Sequence, residues 1–333
     1  MDQIKVRKPM KPWHAVIVLV LTGVTTFFIA PLIAYVFNLG LSATLLNEIS
    51  MLIYAVGIVL IFRGDFRRVF PLQKPKTASV FGTLLFWMGT YGLVMIITMF
   101  ITAIFPQQMT STSQSLNSAF TSVPFLIAFI IISISPAICE EAVFRGVFLN
   151  SLWGRMNKWV VILLTSFVFG LFHGSIWRLI PTMCLGIAMG YLVIETNNMF
   201  YNMLFHAVNN AVPLILLFGL EAVYKAVGLG NIYDSVAGTS VNISYWSSFG
   251  ACFAFAGAGL FFLYLGNHLI HSGRPGYQNG LFPKEKRKTL IILIAVSVSC
   301  AVIGNLIYLM STVLNPEFMR NIMRGVDEIH DIL

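Results

Sequence analysis

Glu140 and Glu141 stand side by side in the apolar run Ile138-Cys139-Glu140-Glu141-Ala142-Val143-Phe144-Arg145-Gly146. A charged side chain at bilayer depth costs a few kcal/mol or more, so ionisable residues inside an apolar span are functional candidates by default. On a helix the two carboxylates point about 100° apart and cannot serve one site equally. Glu141 and Arg145 are four residues apart, on one face and in the favoured order for an ion pair. That pairing neutralises Glu141 and leaves Glu140 pointing elsewhere. Phe144, four residues after Glu140, could wall an apolar pocket in which Glu140 acts as a general base.

Two further groups carry chemistry-bearing side chains. Phe169-Gly170-Leu171-Phe172-His173 places Phe169 and His173 one helical turn apart, with Gly170 allowing a close helix neighbour. His206-Ala207-Val208-Asn209-Asn210 puts His206 and Asn210 on one face. Read singly, each segment is as well explained by interfacial placement or by hydrogen bonds between helices. Taken together, a carboxylate, two imidazoles and an amide on neighbouring spans could activate a water and stabilise an oxyanion. Glu140, His173 and His206 could equally hold a divalent metal such as zinc, with a position left for water.

These side chains must be positioned by membrane spans. Of the 333 residues, 57% are hydrophobic and 10% charged, and the mean hydropathy is +0.83. A soluble domain carries about 25% charged residues. The expected fold is an all-α polytopic transmembrane bundle of about eight or nine spans, with residues 1–333 forming a single integral membrane domain. Apolar runs lie near 13–37, 46–62, 78–105, 123–144, 158–175, 179–195, 199–219, 246–267 and 289–313, each near the roughly 20 residues a crossing needs. The motif-bearing core spans about 120–215, and a short interfacial helix is expected near 316–333.

The net charge of +8 does not indicate nucleic acid, because the Lys and Arg residues cluster between apolar runs. Lys5, Arg7, Lys8 and Lys11 place the N-terminus in the cytoplasm. Span counting then brings Arg63, Arg67, Arg68, Lys74 and Lys76 to the same side, with Arg155, Lys158 and Arg274. The uncharged Ser/Thr-rich stretch from Pro106 to Pro124 reads as an external loop. Glu48 and Glu195, near span ends, read as interfacial. The cysteines Cys139, Cys184, Cys252 and Cys300 form no Cys-x-x-Cys pair and read as buried small hydrophobes.

The order Glu-Glu-x-x-Phe-Arg-Gly, Phe-x-x-x-His and His-x-x-x-Asn, over roughly residues 120–215, resembles the CAAX-protease and bacteriocin-processing (CPBP, or Abi) family of intramembrane proteases. By that resemblance Glu140 activates the attacking water with help from His173. His206 and Asn210 stabilise the oxyanion, and Glu141, Arg145, Phe144 and Phe169 support them. The family has been described both as a metalloprotease group and as metal-free. The implied activity is an endopeptidase acting on membrane-associated peptides or proteins in a bacterial cell membrane. A non-catalytic immunity or adaptor protein that binds a peptide or partner is the alternative.

Overall fold

The computed structural model describes residues 9–227, 245–272, 274, 281, 283, 284 and 287–313. The expected C-terminal helix near 316–333 lies outside the described residues, and so does most of the connection preceding the Tyr245 helix. Among the described residues the chain is helical with no strand. Ten principal helices follow one another: α1 (Pro12–Phe37), α2 (Ser42–Ile61), α3 (Thr77–Ile104), α4 (Pro106–Thr121), α5 (Phe125–Leu152), α6 (Lys158–Leu171), α7 (Ile176–Thr196), α8 (Met199–Ala226), α9 (Tyr245–His271) and α10 (Arg287–Val313). All but α4 and α6 are long and apolar enough to cross a membrane.

Two sequence expectations are corrected. The fifth apolar run is not a full-length span. Helix α6 has 14 residues, about 21 Å at 1.5 Å per residue, against a hydrocarbon core of about 30 Å. The chain leaves it through Phe172-His173-Gly174, and Gly174 takes a positive φ of 64° that glycine adopts without strain. The second correction is Pro106–Pro124, which is no loop: Pro106–Thr121 is a helix with no buried residue. Pro106 suits a first helical turn, and Ser and Thr hydroxyls return hydrogen bonds to carbonyls one turn back, as Thr112 Oγ1 does to Gln108 O at 2.8 Å.

Helix α5 is the centre of the bundle. Over half of its span window is buried, a larger share than in any other span. It is not a uniform α-helix. Phe129–Ile134 and Ala142–Leu149 are wound as π-helix on either side of Ser135–Glu141, where Pro136 sits in the first turn. Proline cannot donate to the carbonyl one turn back and crowds it, and local π winding is a recurrent way to accommodate a helix interruption at a functional site. Helices α1, α2, α6 and α8 pack against this irregular rod.

On the far side, α3 and α9 approach closely through glycines. A Cβ on Gly89 would lie 2.5 Å from Gly259 O, and one on Gly82 would lie 2.9 Å from Gly266 O. Small residues at such crossings let backbones meet in lipid, where packing rather than water exclusion drives association.

Asparagines tie one end of the bundle together. Asn157 caps α6 by accepting from Trp159 N–H at 2.9 Å, and Asn198 caps α8 by accepting from Phe200 N–H at 3.1 Å. Asn198 also exchanges hydrogen bonds with the backbone of Gln73, and Asn150 donates to Arg68 O. Lys158 and Arg274 both reach Glu195 at this end. The basic loops between spans are thereby gathered on one face.

Candidate active site

Glu141 faces the interior of the bundle, with its side chain fully buried. Its Oε1 accepts from Arg145 Nη1 at 2.6 Å, one helical turn on, as the spacing predicted. The same oxygen accepts from His206 Nδ1 at 3.0 Å, and Oε2 accepts from Asn202 Nδ2 at 2.6 Å. The partner groups are as buried as the carboxylate. Arg145 in turn donates from Nη2 to Gly186 O at 3.1 Å on α7 and lies 4.3 Å over the Phe169 ring. A guanidinium can satisfy a carboxylate, a carbonyl and a π-face together because its donors fan out in one plane. Gly146 completes the motif for a packing reason: a Cβ there would stand 2.5 Å from the Phe70 ring.

Glu140 is different. Its side chain is 15% exposed, and Oε2 is a buried oxygen with no hydrogen-bond partner among the described residues. The nearest ionisable partner is His206, whose Nε2 lies 3.9 Å from that oxygen. Glu141 accepts at Nδ1, so Nδ1 carries the hydrogen and Nε2 is the nitrogen that faces Glu140. The two adjacent glutamates have therefore been separated into a saturated carboxylate and a free one.

His173 stands beyond the end of α6. Its Nδ1 donates to Phe169 O at 2.9 Å, since a carbonyl can only accept, and its Nε2 is left as the acceptor. Phe169, 1% exposed, is the hinge of the site: the His173 ring lies 4.9 Å from its centroid on one side and the His206 ring 5.9 Å on another. Phe144 packs edge-on against it at 5.1 Å. Gly170 permits this, because a Cβ there would come within 2.9 Å of Leu179 O on α7. Phe144, the predicted wall residue, thus packs on Phe169, against which both imidazoles rest.

Asn210 Nδ2 donates to Ile132 O at 2.9 Å, in the π-wound part of α5, and its Oδ1 accepts from Asn209 at 3.1 Å. Asn209 Oδ1 also accepts from Trp87 Nε1 at 3.4 Å. One N–H of the Asn210 amide is therefore engaged by the scaffold.

The proposed metal set of Glu140, His173 and His206 does not fit this arrangement. Among the described residues no three His, Cys, Asp or Glu side chains are placed to hold a metal ion. Both imidazoles contact the Phe169 ring, and each commits Nδ1 to a neighbouring oxygen, an orientation that by itself is also usual for a metal-binding histidine.

Two residues near the candidate site carry no signal in the motifs above, and a third was expected elsewhere. Asn202 lies one turn before His206, so the rule that paired His206 with Asn210 would have found it. Arg178, in the first turn of α7, lies within electrostatic reach of both Glu140 and His173. It escaped notice because the apolar run was started one residue later. Glu48, expected at the interface, is 3% exposed on α2, and its Oε2 is unpartnered and within electrostatic reach of Glu140. Helix α2 packs directly on the Ser135–Glu141 segment, and this packing carries the carboxyl inward. Glu195 is likewise not simply interfacial: it gathers Lys158, His271 and Arg274.

No curated protein and no solved structure gives a significant match to the chain. Residues 122–212 match a family model described as Rce1-like, type II CAAX prenyl endopeptidase Rce1-like, a stretch that includes the motif residues from Glu140 to Asn210. Over this segment the chain is similar to the CAAX-protease (CPBP) family of intramembrane proteases.

Proposed function

We propose that the protein is an intramembrane endopeptidase in which Glu140 activates water against a peptide bond of a membrane-associated peptide or protein. The observation that carries this reading is the contrast between the two glutamates. Glu141 is consumed by three donors, while Glu140 keeps a buried oxygen with no hydrogen-bond partner among the described residues, 3.9 Å from His206 Nε2.

In this reaction Glu140 takes a proton from water as the oxygen attacks the carbonyl carbon, and His173 Nε2 accepts from the same water and orients it. The tetrahedral oxyanion forms near His206 and Asn210. His206 donates to it from Nε2 as the imidazolium, its proton taken from solvent before the attack and retained through the step, with Glu141 holding Nδ1–H in place throughout. The proton withdrawn by Glu140 passes to the departing amine as the C–N bond breaks. General base catalysis of this kind contributes roughly 10²–10⁴-fold, and a single oxyanion donor contributes about 10²–10³-fold. The protein would act as an integral membrane enzyme. Its basic end would face the cytoplasm, because Arg68, Lys158 and Arg274 share that end and cytoplasmic loops carry the excess of Lys and Arg.

The test is cleavage of membrane-inserted fluorogenic peptides by the purified full chain in detergent. Glu140→Gln and His173→Ala should each reduce turnover by at least 10²-fold while helical content is retained. Equal cleavage by wild type and Glu140→Gln would overturn the assignment. Peptide binding without cleavage in any condition would favour the immunity or adaptor role instead.

A further inference from the structure

Away from the catalytic cluster, a groove of about 520 Å³ runs between α3, α7 and α9 and reaches the start of α6. Its walls are apolar, with Phe86, Leu93, Ile97, Leu263 and the rings of Trp159 and Tyr191. One end is polar. Tyr191 Oη donates to Asn267 Oδ1 at 2.6 Å, and His271 Nδ1 donates to Asn267 O at 2.8 Å. The other His271 nitrogen meets Glu195 Oε2 at 2.9 Å, and Arg274 Nη1 meets the same oxygen at 3.4 Å. Lys158 also binds Glu195, and its ammonium stands 4.9 Å from the Tyr191 ring and 5.4 Å from the Trp159 ring.

Two properties of this end point to a ligand. Among the described residues Lys158 and Arg274 share a single carboxylate, which leaves this cluster with excess positive charge, and the two cations remain 31% and 40% exposed. Trp159 is 51% exposed and stacks at 6.2 Å on Tyr191, an aromatic pair of the kind that sits at the headgroup level of a bilayer. Cations at headgroup level above an apolar furrow match a molecule with an anionic head and a hydrocarbon tail.

We propose that this groove binds an anionic phospholipid, one acyl chain lying against Phe86, Leu93 and Leu263 and the phosphate held by Lys158 and Arg274. Ammonium and guanidinium groups donate strong charge-assisted hydrogen bonds to phosphate oxygens. Each contributes about a fivefold preference at a membrane surface. The lipid would lock α6 to α3, α7 and α9, the helices that border the groove, and so brace the base of the helix that carries Phe169. The inference stands independently of the proteolytic reading.

Native mass spectrometry on the full-length, delipidated chain supplies the test, with dioleoyl-phosphatidylglycerol and dioleoyl-phosphatidylcholine offered at equal concentration. The wild type should retain phosphatidylglycerol at least fivefold better. Arg274→Gln should cut that preference several-fold, and Lys158→Gln/Glu195→Gln/Arg274→Gln should abolish it without leaving an unpaired carboxylate. Leu93→Trp, at an exposed groove position, should weaken retention while all charges remain. Equal retention of the two lipids by the wild type, or an unchanged preference in Arg274→Gln, would overturn the proposal. So would full competition by glycerol phosphate, which lacks a tail and would make the site a simple anion site. If the triple variant fails to fold, Arg274→Gln and Leu93→Trp still decide.

Discussion

The same one-atom change in the two neighbouring glutamates should have opposite effects on stability. Glu141→Gln removes the charge at the centre of the Arg145, Asn202 and His206 network. A glutamine side chain offers one acceptor oxygen where three donors converge, and its NH₂ must face one of them. Arg145 keeps Gly186 O and the Phe169 ring but loses the carboxylate it donates to, while 2% exposed. Breaking a buried pair by removing one partner costs about 3–5 kcal/mol. With an unfolding entropy of about 2.1 cal/mol/K per residue, this corresponds to a fall in Tm on the order of 5 °C for a chain of this length. Glu140→Gln instead removes a charge from an oxygen that has no hydrogen-bond partner. It should leave Tm unchanged or raise it, since an unsatisfied buried polar group costs about 1–3 kcal/mol, more when charged. Thermal unfolding of both variants in the same detergent, followed by helical circular dichroism, measures the difference. Adding Arg145→Met to Glu141→Gln should restore part of the loss, because the orphaned cation is then gone. Equal destabilisation by Glu140→Gln and Glu141→Gln would refute the division of roles drawn from the geometry.

Two further outcomes are expected. Glu48→Gln removes a second buried, unpartnered carboxylate near Glu140 and should raise Tm while lowering peptide turnover by about tenfold, the trade-off seen where a site holds destabilising groups for function; unchanged turnover would exclude Glu48 from the reaction. Gly89→Ala would push a Cβ to within 2.5 Å of Gly259 O and should cost about 1–3 kcal/mol through overpacking of α3 on α9, read as a lower Tm with the ratio of Glu140-dependent cleavage to folded protein preserved.

The family resemblance and the Glu141–Arg145 pair were legible in the chain because they rest on local rules. A spacing of four residues on a helix gave the Glu141–Arg145 pair, and the same rule would have added Asn202 to His206. Gly170 was readable as a close-approach residue, and its Cβ would indeed meet α7. The shortness of α6 was less readable, since hydropathy continues through Phe172 and only the Gly174 turn ends the helix. The helix at Pro106–Thr121 was hidden by composition, because exposed Ser, Thr and Gln residues give no apolar stripe to detect.

What sequence alone determined was the solvent, a bilayer, and the side chains that could react within it. Charge is too costly in hydrocarbon to be placed without use, so the acidic and imidazole residues stand out wherever they fall in an apolar run. Tertiary structure decided which of them are partnered. Whether a carboxylate is saturated or not depends on donors brought from α8, far away in the chain. Asn202 and His206 converge on Glu141, and both histidines pack against Phe169. Glu48 arrives from a helix with no motif at all, and Glu140, unlike Glu141, keeps an oxygen with no hydrogen-bond partner among the described residues.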